Sequence, residues 1–188
     1  MIAMAWLAWL RAFSRPPRSI QRREERVYPV SAHPLDIAAR DAILEGLLVA
    51  FPPRPIEASG VTGGLPEVQW LRKELAGVAW PDIEAEFVRN QADVLPLLGP
   101  AEYLAVLPAW LRAAVNEPGS DTADAVLAGL EYPPERLDGF TAEQREVVVE
   151  AARFILANNG RGLDTVNEEV LEGIERAWTS RKPQSSPG

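Results

Sequence analysis

The chain of 188 residues contains no cysteine, one histidine and two lysines. Without cysteine it forms no disulfide, offers no thiol nucleophile and builds no zinc site on thiolates. His33 has neither a second histidine nor a thiol to work with, so the common nucleophile–base pairs and zinc constellations lack their parts. Placed just before Pro34, it reads as a solvated or capping residue. Long apolar runs are missing too: MIAMAWLAWL, residues 1–10, is about half of the roughly 20 residues a membrane-spanning helix needs. No alternation of apolar and polar residues is long enough to predict a sheet. GVTGG, residues 60–64, lacks the Gly-Lys-Ser/Thr ending of a phosphate loop and reads as a turn. With Lys73 and Lys182 the only lysines, Pro81-Asp82 has no following Glu-x-Lys and no strands to make a nuclease core. No cofactor is expected.

What is present is acid, unevenly placed. Residues 1–26 carry six Arg against Glu24 and Glu25, a net +4, while the remaining 162 carry 13 basic and 25 acidic side chains, a net −12. An acidic body repels phosphate backbones, which argues against a nucleic-acid partner and favours a basic protein. The cysteine-free composition fits a cytoplasmic setting. Positive charge follows the N-terminal apolar run rather than preceding it, unlike a secretory signal. Residues 1–30 are therefore expected to be a partly disordered apolar and basic extension, with membrane contact through residues 1–13, Trp6 and Trp9 included, as one alternative. Residues 31–180 form the domain and 181–188 a disordered tail.

Within the domain, helix signals recur. PLDIAARDAILEGLLVAF predicts a helix from Pro34 with Ile37, Leu44, Leu47, Leu48 and Phe51 on one side, stopped by Pro52-Pro53. PEVQWLRKELAG places Val68, Leu71 and Leu75 at helical spacing, with Gly77 as terminator. WPDIEAEFVRN predicts a helix opening at Pro81, which would set Asp82 and Glu86 on one face. A short helix starts near Asp121. Thr141 and Gln144 make a capping box, and Thr165 with Glu168 another. The expected fold is all-α, a single bundle of six to seven short helices.

One helix carries an irregularity. In EYLAVLPAWLRAAV, residues 102–115, an apolar stripe of Tyr103, Leu104, Leu107, Trp110, Leu111 and Ala114 runs straight through Pro108. Proline inside a helix costs about 3 kcal/mol, because it has no N–H and its ring crowds the carbonyl of Leu104. A kink or a split at Pro108 is expected, shaping the core.

The order FPPRP (51–55), AGVAWPDI (76–83), LLGPAEYLAVLPAWL (97–111) and FTAEQREVVVEAARFIL (140–156) resembles the uncharacterised bacterial family DUF6714 over residues 48–156. Phe140 stands where that family's pattern has leucine. The resemblance implies a small helical bacterial domain and brings no catalytic residues with it.

These residues point first to a non-enzymatic interaction protein of the immunity or antitoxin kind, holding a basic partner, such as a toxin, on an acidic surface. Trp70, which lies off the buried stripe of its helix, and Glu168, Glu172 and Glu175 are its expected contact residues. Trp80, Trp110, Pro108, Thr141 and Gln144 are expected to be structural. The rival reading is a metal-dependent helical enzyme using Asp82 and Glu86 with further carboxylates.

Overall fold

Helix boundaries follow from local hydrogen-bond supply. The extended Asp36 accepts on its carboxylate from the Ala39 N–H at 3.0 Å, and α1 spans Ile37–Ala50. That start is later than the one read from Pro34, because the Asp36 side chain satisfies a first-turn amide. The computed structural model describes residues 36–57, 65–131, 137, 139–160 and 165–179. The N-terminal extension, His33, Pro34, the GVTGG turn, the tail and the side chain of Thr165 lie outside them. The chain divides into two units, Met1–Val30 and Ser31–Gly188, and the described residues belong to the second.

Pro66 opens α2 (Pro66–Leu75), and Gly77, at φ +79°, ends it in the left-handed region. The released chain turns back: Gly77 N–H donates to the Ile56 carbonyl, and Ile56 N–H to the Val78 carbonyl, both at 2.9 Å. WPDIEAEFVRN does not form one helix. A 3-10 turn, Trp80–Asp82, is followed by extended Ile83 and then α3 (Ala85–Asn90). The cause lies 30 residues away, where Arg112 donates to the carbonyls of Pro81 and Ile83, two acceptors a continuous helix would need. Asp82 and Glu86 therefore do not share a helical face.

A second 3-10 segment, Ala92–Leu97, leads into α4 (Pro100–Asn116). α5 (Asp121–Glu131) starts on Ser120, whose hydroxyl accepts from Ala123 N–H at 3.2 Å. α6 (Ala142–Asn158) carries the Thr141/Gln144 capping box as expected, and α7 (Thr165–Thr179) closes the domain. Among the described residues the fold is all-α, seven helices with two 3-10 segments, and an isolated bridge between Pro55 and Ala79 is its nearest approach to a sheet. No described helix is long and apolar enough to cross a membrane.

α4 is the axis of the core, packed by α1, α3, α5 and α6 and by both 3-10 segments. Its middle is buried on nearly all sides, from Val106 through Leu111 and again over Ala113–Val115, rather than along one stripe. Pro108 neither splits nor ends it. Burying Val106, Leu107 and Leu111 is worth about 1.5–3 kcal/mol each, more together than the roughly 3 kcal/mol proline costs. Among the described residues α1 packs chiefly on α4 and α6, where Ile43, Leu47 and Phe51 are buried, while Ile37 and Leu48, expected on the same stripe, are 59% and 47% exposed.

Three indoles tie the ends of other helices to this core. Trp80 Nε1 donates to the Phe51 carbonyl at the end of α1 (2.7 Å), and Trp110 Nε1 to the Gln91 carbonyl at the end of α3 (3.3 Å). Trp178 Nε1 donates to the Leu130 carbonyl in the last turn of α5 (2.9 Å). Phe140 joins the aromatic contacts, edge-on to Phe51, Tyr103 and Trp178 with centroids 5.1–6.2 Å apart.

Trp80→Phe and Trp178→Phe each leave a buried carbonyl unpaired and should lower unfolding free energy by about 1–3 kcal/mol. Trp70→Phe, on an exposed side chain, should stay within about 0.5 kcal/mol. Urea denaturation followed by far-UV dichroism reads all three; equal losses would remove the indole N–H from the account.

Candidate functional site

α1, α4 and α6 enclose an open cleft of about 1220 Å³. Each contributes one helical face at spacing i, i+3, i+4, i+7. From α1 come Ala42, Glu45, Gly46 and Val49; from α4, Ala101, Leu104, Ala105 and Pro108. From α6 come Glu143, Glu146, Val147 and Glu150. Residues that far apart lie one above another on a helix, so each wall is a continuous strip. α1 and α6 come close because residue 46 is glycine: a Cβ there would lie 3.2 Å from Val147 Cγ2.

The loop after α1 closes one end and is firmly held. Gln144 Nε2 donates to the Ala50 carbonyl at 3.0 Å while its Oε1 accepts from Thr141 N–H at 3.0 Å. Trp80 holds Phe51, and the pairing of Ile56 with Gly77 and Val78 anchors the far side.

The lining is mostly apolar, and its charge is of one sign. Glu45, Glu57, Glu143, Glu146 and Glu150 are exposed around the rim, with Arg54 the one cationic side chain among the lining residues. A sixth carboxylate, Glu102, is turned to a structural task. It pairs with Arg72 at 2.8 Å, and both side chains are largely buried. Its Oε2 also lies over Gly99, where an added Cβ would sit 2.5 Å away and would displace the carboxylate. The Glu143 carboxyl is held below the usual glutamate range by a hydrogen bond from its own backbone N–H and by another from Thr141. It stays ionised near neutral pH, as suits attraction of a cation better than general acid work. Pro108, which has no N–H to give the Leu104 carbonyl, and Leu104 both line the cleft.

The residues singled out in the sequence are dispersed. Trp70 is 44% exposed and stacks on Phe87, with centroids 5.6 Å apart and planes 15° apart. Glu168 and Glu172 are exposed on α7, where Glu175 pairs with Arg153 of α6 at 2.7 Å. None of these four lines the cleft. Asp82 lies near Arg112, whose guanidinium sits 5.8 Å from the Trp80 ring centroid. Burial lowers the Arg112 pKa and Asp82 opposes that shift. Among the described residues, no group of three or more His, Cys, Asp or Glu is placed to hold a metal ion. Trp110 is a core residue, Trp80 is buried and also lines the cleft, and Pro108, Thr141 and Gln144 are part of the cleft as well. Repeated small residues, Ala42/Gly46 and Ala101/Ala105, were the available signal for the cleft, since helices normally bring larger side chains to a face they bury.

No family model, curated protein or solved structure matches the chain, so its function is argued from the cleft itself.

Thr141→Ala removes the cap acceptor and the hydroxyl that donates to Glu143. It should cost about 1 kcal/mol of stability and raise the Glu143 pKa toward that of an ordinary glutamate. Because that pKa is depressed in the folded state, its contribution to stability is present above the usual glutamate range and lost as pH falls through the folded value. Carboxyl NMR titration of wild type and variant measures the shift; an unchanged Glu143 curve refutes it.

Proposed function

We propose that the chain is a non-enzymatic interaction protein of the immunity or antitoxin kind, acting in the cytoplasm, whose acidic cleft engages a basic protein partner. The observation that carries this reading is the cleft's composition: an apolar lining rimmed by five exposed glutamates against Arg54. Apolar area supplies affinity, and a one-signed rim speeds encounter with a cation and repels anions. The net −12 of residues 27–188 extends the same field around the rim. Glu143, exposed like the other four, carries its charge across the physiological range. The motif likeness to DUF6714 agrees with a small helical domain and leaves the activity to the site.

The test compares wild type with the rim variant Glu146→Lys/Glu150→Lys, both side chains being exposed and free of fold-determining contacts in the structure. Tagged full-length chain is incubated with the products of its neighbouring genes at low and moderate salt. A basic protein should bind the wild type, with an association rate falling about tenfold or more in the rim variant and on adding salt. Retention of no neighbouring product, or binding indifferent to both salt and variant, overturns the reading. So would a magnesium, manganese or zinc thermal shift abolished by Asp82→Asn, which would move function to the turn after Trp80.

A further inference from the structure

We infer that the cleft recognises an amphipathic α-helix of its partner, apolar on one face and lysine- or arginine-rich along the flanks. This rests on the basic-partner reading and specifies what that partner presents.

The first reason is the form of the walls. Three helices each turn an i, i+3, i+4, i+7 strip toward the same space, which is how helices receive another helix in a bundle. The α4 strip carries the small residues Ala101 and Ala105, and α1 adds the exposed Ala42, which lets an incoming backbone approach closely. Size agrees. Ten residues of α-helix, about 15 Å long and roughly 10 Å across, occupy about 1200 Å³, against the cleft's 1220 Å³. Drug-sized ligands occupy sites of about 300–1,000 Å³.

Charge then specifies the flank. Glu143, Glu146 and Glu150 follow one another up the α6 wall at about one helical turn, 5.4 Å, so cations at the same spacing on the guest meet them in register. Glu45 faces the groove from α1, so the guest's other flank is cationic as well. Between the flanks, Val49, 75% exposed, and the half-buried Leu104 offer apolar contact to a leucine-type stripe.

The probe is a fluorescent 14-residue peptide of leucine and lysine with helical period, compared with a peptide of the same composition with its order scrambled. Titration into the full-length chain at low salt should show the periodic peptide binding at least tenfold tighter and gaining helical dichroism. Val49→Glu should weaken it at least fivefold, although the substitution adds negative charge; Asp93→Lys, at an exposed position on the second 3-10 segment outside the cleft, should not. Equal binding of both peptides, or tighter binding by Val49→Glu, overturns the helix inference and leaves the charge reading standing. Binding of neither peptide removes both. A dimer dispersed by Val49→Glu, or a photo-cross-link from position 49 within the same chain, assigns the groove to this protein itself and overturns the proposal.

Discussion

Every helix ends on carbonyls that have no amide left to accept from, and a domain made of many short helices has many such ends. Where the end is buried, water cannot supply the donor, and each orphan acceptor costs about 1–3 kcal/mol. This chain meets the need from a distance. Indoles of Trp80, Trp110 and Trp178 reach the ends of α1, α3 and α5, Gln144 reaches Ala50, and Arg112 reaches Pro81 and Ile83. Such bonds do more than satisfy acceptors. A donor rooted in one helix and an acceptor at the tip of another fix the distance between them, so the termination of each helix also sets the packing of its neighbours.

The same bonds explain what was legible in the sequence. Features decided within four residues could be read: the capping box at Thr141, Gly77 as terminator, and hence the helical class. Features decided by a remote partner could not. WPDIEAEFVRN carries every local mark of one helix, yet Arg112 claims two of its carbonyls and leaves a turn and a short helix. Ile37 and Leu48 have core-type side chains, but whether they are buried depends on how many helices surround α1. Their exposure is set by packing.

The cleft was illegible for a related reason. Glu143, Glu146 and Glu150 look in sequence like the solvated face of an amphipathic helix, and locally they are. Only the placement of α1 and α4 beside them turns that face into a wall. Trp70, by contrast, was legible as a partly exposed side chain from its offset to Val68, Leu71 and Leu75, and its stacking on Phe87 covers one face of its ring.

Pro108 links core and cleft. Leu107, Trp110 and Leu111 bury so much surface that α4 runs unbroken through a residue that should interrupt it. Pro108 is itself buried, and it also lines the cleft beside Leu104, so one residue belongs to both. The roughly 3 kcal/mol that its ring costs is therefore offset by the apolar burial around it rather than avoided by exposure.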